Sequence, residues 1–211
     1  GMWREPGEEI ALDAAERELL MTVARRRTGY QPTTQVIIGE LDMLQADFLT
    51  RAQVADAYPA AFIDWCMHAK DGCAADRHRN PAAEPSIRGT ISRAAELTRV
   101  LAEADARLLF GSDTPSDLLY TNPPGLNGRL EMNNWIAAGV SNQKLFRALT
   151  IDNARMLRLD DKVGTVEPGK TANLLLLRAN PLENVTAFDT IETVLLHGRP
   201  IPRSELSARV W

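Results

Sequence analysis

Apolar residues in the first part of the chain recur every three or four positions, the spacing of one face of a helix. Residues 12 to 27 carry Leu12, Leu19 and Val23 at this spacing, which predicts an amphipathic helix. The same spacing predicts helices near residues 41–48, 62–67 and 86–106. Between the first two helices, the β-branched run from Val36 to Ile38 predicts a short buried strand instead.

A second apolar run, Leu108 to Phe110, follows the helix at residues 86–106 directly and ends in Gly111 and Ser112. A helix that leads into a short, wholly apolar strand is the repeat unit of a parallel sheet with both faces covered. The pattern therefore predicts the α/β class for this part of the chain.

The chain from about residue 129 onward has a different pattern. Helices are predicted from about residue 129 to Gly139 and again after Ser141, which is a favourable N-cap. From Val163 onward, turn residues separate two short apolar runs, so we predict strands at 172–177 and 193–196. We place the boundary between the two regions at residues 160 and 161, giving regions 1–160 and 161–211.

Composition narrows the choice of partners. The chain has 211 residues, of which 45% are hydrophobic and 25% charged, with a net charge of −4. This balance is that of a globular protein without a broad cationic surface, so we expect neither nucleic acid nor membrane as a partner. With no apolar stretch near the length of a membrane span, we expect a cytoplasmic protein whose Cys66 and Cys73 are packing residues rather than a disulfide pair.

Asp113 is the candidate for chemistry because it follows the apolar run that ends at Phe110. Parallel α/β folds place their functional loops at the carboxyl ends of strands. A carboxylate there can bind a metal or move a proton. A structural interpretation is also open, since an aspartate followed by Thr114 and Pro115 is a common turn opening.

Several segments, in order, resemble the amidohydrolase superfamily, and in particular imidazolonepropionase-like metal-dependent hydrolases. Phe110 to Pro115 resembles the motif of the family's eighth barrel strand, and Tyr30 to Gln35 resembles the seventh strand. The other family-like segments are Glu131 with Trp135, Ala138 and Gly139; Arg147, Ala148, Thr150, Asn153 and Ala154; Gly164 to Lys170; Asn180 to Leu182; and Val194 to Arg199. One departure is Asn173, where the family usually has an aspartate.

The resemblance implies the C-terminal part of a (β/α)8 barrel, followed by a segment derived from a small β-sandwich. Family enzymes hold one or two divalent metals, most often zinc, that activate water for attack on C–N or C–O bonds. The resemblance implies that Asp113 contacts the metal or its hydroxide and passes a proton to the leaving group. None of His68, His78 and His197 matches the family's histidine ligands, so we expect no metal to be bound by this chain alone.

Two functional hypotheses follow. In the first, the chain is the C-terminal portion of a metal-dependent hydrolase acting on non-peptide carbon–nitrogen bonds of a small molecule, and it is inactive until an N-terminal half completes the site. In the second, it is a noncatalytic remnant or interaction module that associates with itself. Two barrel strands and part of a sandwich expose edges that some partner must cover in either case.

Overall fold

Helices make up most of the first three quarters of the chain. A computed structural model describes residues 11–44, 47–70, 84–114 and 125–208. The α-helices are α1 (Ala14–Arg25), α2 (Gln35–Leu44), α3 (Ala52–Ala57), α4 (Ala60–His68), α5 (Glu84–Glu103), α6 (Asn127–Ala137), α7 (Asn142–Arg147) and α8 (Asn153–Met156). A π-helical turn, Ala148–Asp152, joins α7 to α8.

The ends of two predicted helices are fixed by side-chain caps. Asp13 accepts a hydrogen bond of 2.8 Å from the backbone of Glu16, and the Glu16 carboxylate accepts one of 3.0 Å from Asp13, which is a complete capping box. Ser141 accepts a 3.2 Å bond from Lys144 at the start of α7. The helices predicted around residues 12–27 and after Ser141 are therefore confirmed.

The strand predicted at Val36 to Ile38 is wrong, because these residues lie in α2. β-Branched residues lower helix propensity by only a few tenths of a kcal/mol, roughly, so tertiary contacts readily override it. Ile37 and Leu41, four positions apart on α2, are buried and form a cluster with Ile87 of α5. This burial on one helix face decides the conformation.

The two segments that resemble barrel strands meet in a single parallel bridge between Tyr30 and Leu108. The Tyr30 N–H donates to the carbonyl of Arg107 at 3.0 Å, and the Leu109 N–H donates to the carbonyl of Tyr30 at 2.9 Å. No strand is assigned to either segment among the described residues, so this one bridge is all that they show of the parallel sheet expected from the sequence.

The C-terminal region contains a three-stranded antiparallel sheet in the order β1-β2-β3. Its strands are β1 (Leu174–Leu177), β2 (Ile191–Leu196) and β3 (Arg199–Pro202). The first two were predicted within a few residues, whereas β3 was not predicted, because glycine and proline residues such as Gly198 and Pro200 usually end a strand. Instead, Gly198 lies in the turn between β2 and β3, and Pro200 pairs with Leu195.

The main core lies between α1, α5, α6 and α7 and includes Leu101, Leu108 and Trp135, each almost fully buried. A second cluster contains Cys66, which is fully buried and takes part in a disulfide bond, so the prediction that it is only a packing residue is wrong. A low cysteine content led to the expectation of reduced cysteines, but disulfide formation depends on which cysteines the fold brings together. Cys73 lies outside the described residues.

The mixture of helix and sheet expected for the chain is confirmed, while the division at residues 160 and 161 stays a prediction. Among the helices in the described ranges, none combines the length and the apolar character needed to cross a membrane.

Candidate functional site

Asp113 lies in an exposed loop just beyond the segment that pairs with Tyr30; residues 111–114 are called the Asp113 loop below. Its backbone adopts the left-handed conformation, with φ of 52°. Aspartate tolerates this region better than most residues, but it is still uncommon outside glycine. The same left-handed conformation occurs at Arg27, Thr33, Asp105, Arg158 and His197, so it does not single out the Asp113 loop.

The residues next to Asp113 are connected by side-chain hydrogen bonds. The hydroxyl groups of Ser112 and Thr114 lie 3.0 Å apart, and Asn127 donates to the Thr114 hydroxyl at 3.2 Å. Asn127 is the first residue of α6 and is almost fully buried. The end of the Asp113 loop is thereby tied to the start of α6.

The beginning of the Asp113 loop is packed from the side of the Tyr30 segment. A Cβ atom at residue 111 would overlap the Nε2 atom of Gln31, so the Gln31 side chain lies against the bare backbone of Gly111. Glycine at this position permits the close approach of the two segments.

Asn153 holds the strand that precedes the loop. The Phe110 N–H donates to Asn153 Oδ1 at 3.0 Å, and Asn153 Nδ2 donates to the Phe110 carbonyl at 2.8 Å. The Phe110 ring also packs against Trp135, with the ring centroids 5.5 Å apart. Both backbone groups and the side chain of Phe110 are therefore fixed.

A buried carboxylate ties the loop after Tyr30 to α6. Glu131 is 0% exposed and accepts hydrogen bonds from the backbone N–H groups of Thr34 at 3.1 Å and Gln35 at 2.6 Å. The Trp135 indole donates to it at 2.8 Å, and Asn134 lies at 3.5 Å. Glu131 thus satisfies the unpaired donors at the start of α2, where a negative charge is favourable.

The electrostatics of Glu131 combine two opposing effects. Burial raises the pKa of the Glu131 carboxyl, and the hydrogen bonds from Gln35, Thr34, Trp135 and Asn134 oppose this rise. Because all four partners are donors, they match the acceptor-only ionised carboxylate. We therefore assign Glu131 a structural role at the start of α2.

Further polar contacts extend from Gln35, which accepts a 3.0 Å bond from Asn134 and donates a 3.2 Å bond to Asp42. Burial raises the pKa of Asp42, and the bond from Gln35 lowers it. Burial, together with the nearby Asp42 charge, also raises the pKa of Tyr58. These groups connect α2 with the cluster around α3.

Sequence reasoning identified Asp113 but assigned no role to Glu131 or Asn153, although both belong to the family-like segments. A glutamate four positions before a tryptophan reads as an ordinary helix pair. Its partners Thr34 and Gln35 are almost a hundred positions away along the chain. No local signal indicates such contacts.

The histidines are not brought to Asp113 in the described parts of the chain. His68 is exposed on α4 with its ring 2.9 Å from Asp64, and the backbone N–H of His197 donates to Asn173 at 2.8 Å. His78 lies outside the described residues. The acceptor in this contact is the amide oxygen of Asn173.

A metal centre is the chemistry that an aspartate in this position suggests. Across residues 11–44, 47–70, 84–114 and 125–208, no three histidine, cysteine, aspartate or glutamate side chains are grouped closely enough to hold an ion. A catalytic zinc needs about three protein ligands. The described residues therefore do not by themselves fit the metal that the resemblance implies.

A large cavity of about 1280 Å³ lies between the helical region and the sheet. Its lining is mainly apolar and includes Leu130, Phe146 and Leu174, with Arg129 and Asp189 among the polar residues. Arg129 and Asp189 form a paired contact at 2.7 and 2.8 Å, which links α6 to the segment before β2.

Comparison with known sequences gives two matches. The sequence model of the amidohydrolase family matches residues 59–201. Adenine deaminase 1 of Latilactobacillus sakei subsp. sakei (strain 23K) is 38% identical over 66 residues, which cover 31% of this chain and 10% of the deaminase.

Comparison with solved structures gives a similar fold. A Xaa-Pro dipeptidase with bound methionine superposes with a TM-score of 0.56 and 19% identity, covering 90% of this chain and 38% of the dipeptidase. Molinate hydrolase superposes with a TM-score of 0.52 and 16% identity, covering 93% of this chain and 37% of the hydrolase. The chain therefore spans well under half the length of these proteins, and at such identities the likeness concerns the fold alone.

Proposed function

Because this chain belongs to the amidohydrolase family, we propose that it is the C-terminal portion of a hydrolase that acts on non-peptide carbon–nitrogen bonds. In this proposal, residues up to about 160 derive from the end of a (β/α)8 barrel and the remainder derives from a small β-sandwich. The parallel bridge between Tyr30 and Leu108 then corresponds to the seventh and eighth barrel strands. The substrate is a small molecule of the amide or cyclic amide class.

The position of Asp113 carries the proposal. It follows the Leu108 segment at the end where parallel α/β folds place catalytic groups. The contacts of Gln31, Asn127 and Asn153 on both sides of it support a fixed position for the loop. We assign Asp113 as the one residue that this chain contributes to the reacting centre.

The complete enzyme holds a divalent metal, zinc in this proposal, and its other ligands come from outside this chain. The described residues supply no such group of ligands. We therefore expect the isolated chain to be inactive and to bind no metal tightly.

The missing ligands and the open surfaces have one common source in this proposal, the N-terminal portion of the family barrel. The chain aligns with only 38% of the dipeptidase length, so most of that fold lies outside it. The apolar cavity and the half-exposed Leu175 and Leu176 of β1 are the surfaces that this portion would cover. A second copy of the chain is the competing occupant, since exposed leucines on a sheet edge also favour self-association.

Elemental analysis and light scattering test both ideas. The chain is measured alone and after coexpression with the adjacent or in-frame coding segment that supplies a His-x-His motif and two later histidines. Each sample is compared with Asp113→Ala and with the exposed control Asp161→Ala. We expect metal only in the complex, lost in Asp113→Ala and kept in Asp161→Ala.

Other outcomes are equally informative. Stoichiometric metal in the isolated chain would show that a site assembles without a second portion, against the proposed incompleteness. Metal in the complex that survives Asp113→Ala would remove Asp113 from the site. A metal-free homodimer, with no complex formed, would favour a noncatalytic interaction module.

A further inference from the structure

Asn153 makes a pair of hydrogen bonds that usually connects two strands. Its side-chain amide accepts from the Phe110 N–H at 3.0 Å and donates to the Phe110 carbonyl at 2.8 Å. A carboxamide offers one acceptor and one donor side by side, like the backbone of a neighbouring strand. Both main-chain groups of one residue are thereby satisfied by one side chain.

The direction of these bonds identifies the edge that Asn153 occupies. Arg107 and Leu109 use their backbone groups to pair with Tyr30. Backbone groups of successive residues in an extended strand point to opposite sides, so those of Phe110 point away from Tyr30. Asn153 therefore lies at the outer edge of the segment, where a further strand would pair.

The backbone turn that carries Asn153 is itself held in place. Asn153 follows the π-helical turn Ala148–Asp152, in which the Thr150 hydroxyl donates to the Phe146 carbonyl at 2.7 Å. Gly164 packs directly on this turn, since a Cβ atom there would lie 2.8 Å from Cβ of Ala154 and 3.1 Å from Cα of Ile151. π-Helical turns are frequent at functional sites, where they redirect one side chain.

We propose that Asn153 is a positioning residue that replaces a neighbouring strand at Phe110 and so fixes the backbone leading into Asp113. Phe110 is three positions before Asp113, and its other side is covered by Trp135. The significance for catalysis rests on the proposed function of Asp113. A further consequence is that a strand pairing with the outer edge must end before Phe110, since Asn153 already occupies both of its backbone groups.

The test measures hydrogen exchange of the Phe110 amide by NMR. The variants compared with the wild type are Asn153→Ala, Asn153→Asp and the control Asn133→Ala. Asn133 is an exposed asparagine on α6. We expect Asn153→Ala to accelerate exchange at Phe110 by about tenfold or more, the equivalent of one lost hydrogen bond. The amide shifts of residues 111–114 move with it, whereas Asn133→Ala leaves both unchanged.

The pH profile of Asn153→Asp separates positioning from a general packing effect. An ionised carboxylate only accepts and repels the Phe110 carbonyl, so at neutral pH the variant resembles Asn153→Ala. Below a pH of about 4 the protonated carboxyl again offers one donor and one acceptor. Compared with the wild type at each pH, its Phe110 exchange and loop shifts return towards normal on acidification.

Unchanged Phe110 exchange in Asn153→Ala would overturn the proposal. If that variant does not fold, the absence of any recovery of Asn153→Asp at low pH overturns it instead. Metal content of Asp113→Ala is an independent measurement. If Phe110 exchange depends on Asn153 but metal binding does not depend on Asp113, then the proposed function has failed while the positioning contact stands.

Discussion

Two regions of the molecule differ in how fully their side chains are hydrogen-bonded or buried by other described residues. These regions are the Asp113 loop with the residues that support it, and the three-stranded sheet. Around the loop, the buried Glu131 has four hydrogen-bond donors, and Asn153 and Asn127 hold the chain on either side. In the sheet, β1 consists of four leucines, of which Leu175 is 46% and Leu176 is 50% exposed.

Neighbouring residues of a strand face opposite sides of a sheet, so an all-leucine strand is suited to burial on both faces. Half-exposed leucines on both faces of an edge strand therefore form an exposed apolar surface of the kind found at protein interfaces. The residues next to Asp113, by contrast, are hydrogen-bonded to Asn153 and Asn127 of the same chain. The described contacts hold Phe110 and Thr114 on either side of Asp113, whereas those around β1 leave Leu175 and Leu176 half exposed.

Among the substitutions that test this comparison, leaving the controls aside, the largest effect is expected from Glu131→Gln. The amide replaces one acceptor oxygen with a donor group that faces backbone N–H groups, leaving buried donors unpaired. We expect the free energy of unfolding to fall by about 2–4 kcal/mol. Urea denaturation measures this, with the exposed Glu205→Gln as control, for which we expect no measurable change. A neutral Glu131→Gln would contradict the idea that Glu131 holds the start of α2.

The next effect concerns the glycine that packs on the π-helical turn. Gly164 has φ of +98° and close neighbours, so alanine there meets both backbone strain and steric overlap. Gly169 has φ of +88° but open space around it, so alanine there meets only the strain. We expect losses of about 2–4 kcal/mol for Gly164→Ala and about 1 kcal/mol for Gly169→Ala. Equal losses would show that the packing on the turn contributes nothing.

A smaller effect is the pH dependence that Glu131 contributes. Its pKa is raised on folding, so the folded chain binds this proton more tightly than the unfolded chain. The resulting stabilisation is complete below the ordinary glutamate pKa of 4.5 and is lost as the pH rises through the raised value. The stability advantage of the wild type over Glu131→Gln should therefore narrow from pH 4.5 upward. An advantage that widens with pH would contradict the direction of the pKa shift.

The smallest effect is expected in the sheet. Leu175→Ser and Leu176→Ser should change the stability of the isolated chain by no more than about 0.5 kcal/mol each, since both side chains are already half exposed. The fully buried Leu101→Ser is the control, with an expected loss of about 3–5 kcal/mol. Denaturation at low protein concentration measures both. A large loss at Leu175 or Leu176 would mean that β1 is already covered, and the contrast between the two regions would disappear.

The family was predictable from sequence because its motifs are local. The segments from Phe110 to Pro115 and from Gly164 to Lys170 are short and carry recognisable turn and loop residues, and the match over residues 59–201 confirmed the resemblance. Helices with strong caps, such as that after Ser141, were also predictable, because the cap and its partner are three positions apart. The role of Asp113 stays a prediction.

The errors arose where distant residues decide the local conformation. Val36 to Ile38 has the composition of a strand, but Glu131 binds the donors at the start of α2, and Ile87 covers its apolar face. Strand β3 was not predicted, because proline is disfavoured within strands. In the structure, Pro200 nevertheless pairs with Leu195.

The sequence by itself determined the family and the mixed helix-and-sheet composition, since periodicity, caps and motifs act over a few residues. Only the tertiary structure decided that Asn153 binds both backbone groups of Phe110 and that Glu131 closes the start of α2. Those contacts join residues 43 and about 97 positions apart. Their hydrogen-bond partners are backbone groups. Because almost every residue carries the same backbone groups, the sequence does not indicate which of them is bound.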